Sequence, residues 1–417
     1  MEKSGKFRLT SLERNWILYD VGNSAFVLMV ATLIPIFFNA LAAAGGLSSV
    51  EYLAYWGYAS SAVTVITAVL SPILGTVADT KGFKKPIFIL CVFVGIVGCC
   101  AMGAVSAWLP FLVIFVIAKV GFSGSLVFYD SMLSDVTTPE RMDEVSSRGY
   151  AWGYIGSCVP FVVCLGLVLG AGSIGISQMT ALNLALLLTA AWWLLTTLPL
   201  LKSYKQLHYV EVEKHAVRQS FARIGHTLRH LPEDKQVFWF LLAFFCYIDG
   251  VYTIIDMATA YGTALGLDTT GLLLALLVTQ IVAFPSALIF GRLSNKYPSA
   301  KLIPVCIAAY AGIAVFAFFL TRQWQFWVLA VIVGMFQGGV QALSRSHFAK
   351  IIPPEKSGEY FGLFDICGKG ASFLGTMIVS VGSQLTGSAN VGVGSLIVLF
   401  IVGFVLFRVS FRQGETV

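Results

Sequence analysis

The stretch GTVADTKGFKK, residues 75–85, separates two long apolar runs of the chain. It places Gly75 four residues before Asp79 and ends on the basic pair Lys84 and Lys85. A carboxylate and several lysines cost free energy inside a hydrocarbon layer, so we expect residues 75–79 to end one helix at a membrane surface and a short basic loop to follow. The apolar runs on either side are then predicted to be membrane-spanning helices, because only helices and closed barrels satisfy the backbone in lipid.

The composition of the whole chain also favours a membrane protein. Of the 417 residues, 57% are hydrophobic and 12% are charged, against roughly 25% charged residues in an average soluble domain. The net charge is +6, but the basic residues fall in polar loops, where they orient helices in a bilayer. We therefore predict no nucleic-acid partner. The eight cysteines lie in apolar segments without metal-ligand spacing, so no metal or other cofactor is predicted.

Twelve membrane-spanning helices are predicted, because a bilayer core of about 30 Å needs roughly 20 apolar residues per helix. Their predicted bounds are 14–42, 53–79, 85–106, 109–134, 145–171, 178–200, 236–262, 269–292, 301–321, 324–349, 358–385 and 391–411. A polar, basic segment after the sixth helix is expected to contain an amphipathic helix. The chain then consists of an N-terminal six-helix bundle (1–200), a cytoplasmic linker (201–235) and a C-terminal six-helix bundle (236–417).

Lys and Arg residues concentrate on one side of this predicted topology. In the predicted loops on the opposite side, Arg322 is the one Lys or Arg residue. Because positively charged loops stay in the cytoplasm, both termini are predicted to be cytoplasmic. The first apolar stretch is too long for a signal peptide and is expected to remain as a membrane span. We expect a multi-pass, monomeric protein in the plasma (inner) membrane of a bacterium, surrounded by lipid.

The two halves of the chain resemble each other. Residues 138–157, TPERMDEVSSRGYAWGYIGS, match residues 353–372, PPEKSGEYFGLFDICGKGAS, at a constant offset of 215 positions. Both blocks begin with a Pro-Glu-basic turn and join a fourth to a fifth helix of their half. Internal repeats of this kind are common in transporters. They predict two pseudo-symmetric halves of six helices each.

The chain resembles the major facilitator superfamily in its six plus six helices, its central linker and its motif at residues 75–85. That family's loop between helices 2 and 3 has a glycine, an aspartate four residues on, a second glycine and basic residues. The chain matches with Gly75, Asp79 and Gly82, but it has lysines where the family has arginines. Lysine keeps the charge and loses the bidentate fork.

A narrower resemblance covers nearly the whole chain. The segments NWILYDVGNSAF (15–26), SDVTTPERMDEVSSRGYAWGYIG (134–156) and GGVQALSRSHFAKIIPPEKSGEYFGLFDICGKGASFLG (338–375) are similar to the UMF1, or Atg22-like, branch of that superfamily. This branch includes a vacuolar amino-acid effluxer. The resemblance implies an all-α, twelve-helix major facilitator fold, alternating access and small-solute transport. It also implies that helices 1, 4, 7 and 10 line the central cavity.

Charged residues inside the spans are candidate site residues, because the bilayer penalises them unless they face a cavity or a partner. In the first span, Asp20 and Asn23 share one face. Asp20 could bind a proton, a cation or a substrate amine, or it could only tie the helix to a loop. In the fourth span, Lys119 could bind a substrate carboxylate or pair with an acidic residue that holds the fold. Asp130, on the same face, is interpreted as a structural partner.

The seventh span has Asp249 and Asp256 on one face. We expect Asp249 near the midplane as a coupling or substrate-binding carboxylate, and Asp256 nearer the outside, where it could form an outer gate. In the eleventh span, Asp365 and Lys369 could pair with each other, or Lys369 could serve substrate binding or coupling. Gln280 in the eighth span adds a neutral hydrogen-bonding group.

The tenth span has a polar stripe that consists of Gln337, Gln341 and Arg345. Arg345 corresponds to Asp130 of the other half through the offset of 215 positions. The two residues are therefore predicted to meet across the pseudo-twofold axis and to close the cytoplasmic side.

The family resemblance implies a second part of this gate. It places Asp79 against the N-terminus of the eleventh helix, where the helix dipole favours an anion. It places Lys84, with Lys85 beside it, near a carboxylate that ends the fourth helix, for which Asp135 is the candidate. Such contacts would hold an outward-open state.

These observations favour a secondary active transporter of a small polar or zwitterionic, amino-acid-like solute. Acidic residues in the spans favour protons as the coupling ion, with sodium as the alternative. The chain has no phosphate-binding loop motif and neither of the hydrolase motifs GxSxG and HExxH, so an ATP-driven pump and an enzyme are both disfavoured. The alternative function is a broad-specificity exporter of amphipathic organic compounds or lipids.

Overall fold

The computed structural model describes residues 7–211, 225–227 and 229–414. Some helical residues are described by their backbone alone, namely 49, 50, 53, 259, 260, 263, 264, 269, 270, 273 and 369–373. The helix expected in the linker falls largely on residues outside this description.

Fifteen α-helices lie within the described residues. Those of the first half are α1 (Ser11–Ala31), α2 (Leu33–Ala44), α3 (Ser49–Ala78), α4 (Lys84–Met102), α5 (Trp108–Ser131), α6 (Leu133–Val136), α7 (Met142–Leu169) and α8 (Gln178–Ser203). Those of the second half are α9 (Lys235–Ala264), α10 (Thr269–Leu293), α11 (Ser299–Phe318), α12 (Gln323–Ile351), α13 (Ser357–Thr386), α14 (Ala389–Gly394) and α15 (Ile397–Gly414). Two short 3-10 helices are Leu231–Glu233 and Pro354–Lys356.

These helices form the all-α architecture of twelve membrane helices in two halves that the sequence predicts. Eleven helical segments of the described chain are long and apolar enough to cross a membrane. The remaining long helix, α13, has 30 residues and occupies the place of the eleventh predicted span.

The first span, predicted as residues 14–42, is divided at Thr32 into two helices. Helix α1 ends at Ala31, and α2 begins at Leu33. Pro35 has no N–H and cannot donate to the carbonyl of residue 31, which interrupts the helical hydrogen bonds. Thr32 lies at the break with φ −131° and ψ −74°, and its hydroxyl donates to the carbonyl of Leu28 at 2.5 Å. The last span is likewise divided into α14 and α15.

The two halves meet along two seams. Helices α3 and α5 pack against α13, and α7 packs against α10 and α12. At the first seam, a Cβ atom on Gly75 would lie 2.1 Å from the carbonyl oxygen of Gly358, so only glycine allows this approach. We call the end of the molecule that carries the loop 79–84, the linker start 204–211 and the N-terminus of α13 the basic end.

Candidate functional site

A central cavity of about 450 Å³ lies between the two halves. Helices α1, α3, α5 and α7 line it from one side, and α9 and α13 from the other. This volume falls within the roughly 300–1,000 Å³ of small-molecule sites. The tenth span, α12, contributes none of the described lining residues, which differs from what the family resemblance implies.

The cavity wall combines opposite charges with aromatic rings. Lys119 of α5 and Asp256 of α9 both line it, as does Asp365 of α13. The Lys119 ammonium lies 4.7 Å from the ring centroid of Phe122. Asp365 Oδ2 accepts a hydrogen bond of 2.7 Å from the Ser71 hydroxyl, which links α3 to α13. Asp130 of α5 lines the cavity as well, so the wall presents one cation and three carboxylates from both halves to a bound molecule.

Arg345 lies between this cavity and the basic end and connects the halves. Its Nη1 donates to Asp130 Oδ1 at 3.0 Å and lies 3.7 Å from Asp20 Oδ2. Its Nε and Nη2 donate to the hydroxyl and the carbonyl of Ser146, at 2.9 and 3.0 Å. Asn23, one turn beyond Asp20, donates to a carbonyl of its own helix at 3.1 Å. One guanidinium thus joins α12 to α1, α5 and α7.

Aromatic rings surround the same guanidinium. Its central carbon lies 4.7 Å from the Trp16 ring centroid, 5.4 Å from that of Tyr129 and 4.3 Å from that of Tyr150. Cation–π contacts stabilise a desolvated cation. A Cβ atom at Gly149 would lie 3.1 Å from Arg345 Nη2, so glycine leaves the room that the guanidinium needs. The segment 15–26 therefore supplies both an anion and an aromatic ring to Arg345.

Asp79 fixes the N-terminus of α13 at the basic end. Its Oδ1 accepts from the backbone N–H of Gly358 at 2.7 Å, and its Oδ2 accepts from that of Glu359 at 2.8 Å. Burial raises the pKa of the Asp79 carboxyl to about 6, although Lys84 and the two amides act in the opposite direction. The group is therefore mainly ionised at pH 7, and it satisfies two amides that a helix start leaves unpaired.

Lys84 is buried beside this contact. Its ammonium donates to the Ser357 hydroxyl at 2.8 Å and lies 3.6 Å from Asp79 Oδ1 and 3.9 Å from Asp135 Oδ2. Lys85 is half-buried at the start of α4. The ion cluster thus reaches from α3 and α6 of the first half to α13 of the second.

The start of the linker pairs with the loop between α3 and α4, a contact that the sequence analysis does not predict. The N–H of Val210 donates to the carbonyl of Asp79 at 2.8 Å, and the N–H of Lys81 donates to the carbonyl of Val210 at 3.3 Å. These bonds form a parallel β-bridge between Thr80 and Val210. The linker is therefore attached to the loop that holds α13.

The same linker segment also covers Asp135. The Tyr204 hydroxyl donates to Asp135 Oδ2 at 2.5 Å, and the N–H groups of Leu207 and His208 donate to Oδ1 at 3.2 and 2.9 Å. His208 Nδ1 lies 3.0 Å from this oxygen. Asp135 thus connects the linker to the Lys84 cluster.

Asp249 lies apart from the cavity lining, buried between α9 and α13. Its Oδ1 accepts from the N–H of Gly375 at 2.9 Å and from the Thr253 hydroxyl at 3.3 Å. Its Oδ2 has no hydrogen-bond partner within the described structure. A Cβ atom on Gly375 would lie 2.7 Å from Asp249 Oδ1, so glycine permits this close contact.

Three further predicted residues, Gln280, Gln337 and Gln341, do not line the cavity. Gln280 and Gln337 line a smaller pocket of about 40 Å³ between α9, α10 and α12. Gln341 accepts a hydrogen bond of 3.3 Å from the Tyr154 hydroxyl. The side chain of Lys369 lies outside the described structure.

The structure has several ion pairs at the basic end that the sequence analysis does not predict. Arg141 makes a bidentate contact with Glu13, with distances of 2.7 and 2.8 Å. Asp143 binds Lys350 at 2.6 Å and accepts from the Ser346 hydroxyl at 2.6 Å, which joins α7 to α12. These residues lie at or near helix ends, where the sequence analysis names candidates only through the family resemblance. The repeated Pro-Glu-basic turn is the signal that points to Arg141.

The chain has the fold of the major facilitator class of membrane transporters. The human organic anion transporter MFSD10 (TETRAN) superposes with a TM-score of 0.71 at 15% identity, over 95% of this chain and 99% of that chain. The major facilitator superfamily transporter FucP, in the outward conformation, gives 0.71 at 16% identity over 96% and 97% of the two chains. At these identities the likeness shows the fold alone.

The chain belongs to the family "Vacuole effluxer Atg22 like", whose model matches residues 11–141 and 134–416. The MFS-type transporter YxiO of Bacillus subtilis (strain 168) is 42% identical over 414 residues, which is 98% of this chain and 96% of that protein. Autophagy-related protein 22 of Coccidioides immitis (strain RS) is 25% identical over 65% of this chain and 51% of its own length. The chain thus spans about half of this fungal relative. The resemblance seen in the sequence is confirmed.

Proposed function

We propose that the protein is a secondary active transporter that moves a small polar or zwitterionic, amino-acid-like solute by alternating access, coupled to protons. Its two halves, residues 1–200 and 236–417, would move as bundles joined by the linker 201–235. We place it in the plasma membrane of a bacterium with both termini in the cytoplasm, because Lys and Arg residues concentrate at the basic end.

The observation that carries this proposal is the charge pattern of the central cavity. Lys119 can bind a carboxylate, and Asp256 or Asp365 can bind an ammonium group. Aromatic rings such as those of Phe122 and Tyr252 offer surfaces for an apolar side chain. A zwitterion with an apolar side chain satisfies all three kinds of group at once.

The contacts at the basic end support alternating access. Arg345 and Asp79 each bind partners on the opposite half, so both contacts must break before the cavity can open at that end. Such a seam with two discrete arrangements is what a rocking transition requires. The observed state has the basic end closed, and with the termini in the cytoplasm it corresponds to an outward-facing state.

A ligand screen followed by counterflow tests this function. Purified protein is heated with solutes of separate classes, and those that bind the folded state raise its melting temperature. Liposomes with the protein are then loaded with the best ligand and diluted into a labelled trace. We expect zwitterionic amino-acid-like compounds to stabilise the protein and the label to accumulate transiently. Stabilisation by amphipathic compounds or lipids alone would favour the exporter alternative, and an absence of counterflow would contradict transport.

A further inference from the structure

Arg345 holds the carboxylates of Asp20 and Asp130 with a single positive charge. We propose that Asp20 and Asp130 share the coupling proton, and that they bind it when Arg345 withdraws as the basic end opens. This inference rests on the proposed transport function and deepens it by assigning the coupling site.

The charges of the centre that Asp20, Asp130 and Arg345 form are unbalanced even in the closed state. Asp20 is 7% exposed and Arg345 is 2% exposed, and the Asp130 side chain is 20% exposed toward the cavity. One guanidinium neutralises one of the two carboxylates, which leaves an excess negative charge in a buried place. Buried charges are costly unless they are paired. A bound proton removes that cost.

The arrangement of the halves determines when the proton binds. Asp20 on α1 and Asp130 on α5 belong to the first half, whereas Arg345 on α12 belongs to the second. When the halves separate at this seam, the two carboxylates remain together and lose their cation. Neighbouring carboxylates without a cation bind a proton more tightly. Proton binding therefore favours the open state, because a ligand stabilises the state that binds it better.

Asp130 provides the route to the site. It lines the central cavity, as does Tyr150 beside Arg345, whereas Asp20 does not. Asp20 Oδ2 is buried and has no hydrogen-bond partner within the described structure, although it lies 3.7 Å from Arg345 Nη1. A proton that enters through Asp130 can be shared between the two acids, so its affinity belongs to the pair.

The neighbouring helices add little positive charge to the centre. The titratable groups that face it are Tyr19 of α1, Tyr129 of α5, Tyr150 and Tyr154 of α7, Tyr252 of α9 and Asp365 of α13. The five phenols are neutral at physiological pH, and Asp365 adds a further carboxylate. Among the described residues, Arg345 is therefore the cation whose movement changes the proton affinity of Asp20 and Asp130.

A distance measurement at varied pH tests this assignment without any substrate. Spin labels at the exposed positions Glu140 and Lys296, one on each half of the basic end, report opening as a longer distance. The parent protein treated with the same label corrects for the native cysteines. We expect the open population to rise as the pH falls from 8 to 5, by up to tenfold per pH unit for one proton. The Asp130→Asn and Asp20→Asn variants should lose this dependence.

The Asp249→Asn variant tests the other candidate coupling carboxylate. The matched control is Glu13→Gln, because Glu13 is a buried carboxylate whose ion pair with Arg141 lies within the first half. Both variants should retain the pH dependence of the wild type. A pH-independent wild type, or a pH dependence abolished only by Asp249→Asn, would overturn the assignment. If the Asn variants do not fold, infrared spectra of the wild type and of Asp130→Glu replace them. A protonated carboxyl band that appears at low pH and shifts in Asp130→Glu supports the proposal, and an unshifted or absent band overturns it. Counterflow tests transport separately from both readouts.

Discussion

Arg345 and Asp130 lie 215 positions apart in the sequence and 3.0 Å apart in the structure. The same offset relates the two repeated turns of the sequence. Residues at equivalent positions of the two halves therefore meet across the pseudo-twofold axis and carry opposite charges. Because Asp130 also lines the cavity, this pair links the cavity wall to the seam between the halves.

Removing the Arg345 side chain is expected to destabilise the folded protein strongly. The Arg345→Ala variant leaves two buried carboxylates without their cation, and breaking a buried ion pair from one side costs about 3–5 kcal/mol. Arg345→Lys keeps the charge but cannot bind Ser146 and Asp130 through a planar fork, so its loss should be intermediate. Thermal unfolding in detergent measures both. Arg292→Ala, at an exposed arginine of the same half, is the control; equal melting temperatures for Arg345→Ala and Arg292→Ala would refute the prediction.

Asp79→Asn is expected to shift the protein toward the state that is open at the basic end. An asparagine can accept from Gly358 or from Glu359, but its NH₂ group then faces the second amide N–H. An unpaired buried amide costs about 1–3 kcal/mol, so the ratio of closed to open states should fall roughly 5- to 150-fold. Spin labels at positions 140 and 296 measure that ratio. Glu211→Gln, which alters only an exposed ion pair, should leave it unchanged, and identical distance distributions in both variants would exclude this role for Asp79.

The linker start should stay bound to the loop between α3 and α4 only while the backbone hydrogen bonds between them are intact. Val210→Pro removes the N–H that donates to Asp79, whereas Val210→Ala keeps it. We expect the amides of Leu207 and His208 to exchange with solvent at least tenfold faster in the proline variant and at an unchanged rate in the alanine variant. Hydrogen exchange followed by mass spectrometry gives both rates. Unchanged protection in Val210→Pro would mean that this pairing does not hold the linker.

Lys119→Gln is expected to weaken binding of any ligand that has a carboxylate. A hydrogen bond to a charged group contributes about 1.5–3 kcal/mol, so the affinity should fall roughly 10- to 150-fold. The ligand-induced rise in melting temperature measures this loss, and Ser60→Ala, in the same cavity wall, is the control. The methyl ester of the ligand should bind wild type and Lys119→Gln equally. An ester that still distinguishes the two proteins would argue against a carboxylate partner.

The helices and the contact between Asp130 and Arg345 could be predicted because their sequence signals are local or repeated. Apolar runs of about 20 residues identify membrane helices whatever their neighbours are. The offset of 215 positions brings Asp130 to Arg345 without knowledge of the packing. The contact of Asp79 with α13 came from family resemblance, since neither charge nor spacing reveals a backbone partner 279 positions away.

Other parts of the site depend on packing that has no pattern in the sequence. The linker start binds through backbone groups such as the N–H of Val210, which every residue except proline carries. The position of Asp20 at Arg345 depends on how α1 packs against α7 at Gly149. The break at Thr32 arises because Pro35 lacks an N–H, whereas Pro72 and Pro160 lie inside unbroken helices, so a proline alone does not predict a break.

Accumulation of a confirmed ligand by proteoliposomes under an imposed pH gradient tests proton-coupled transport most directly. We expect the labelled ligand to accumulate above its equilibrium level while the pH gradient lasts, and to leave when a protonophore collapses the gradient. A sodium gradient alone should not drive accumulation. Equilibration without accumulation, or accumulation that ignores the pH gradient, would contradict proton-coupled transport by this protein.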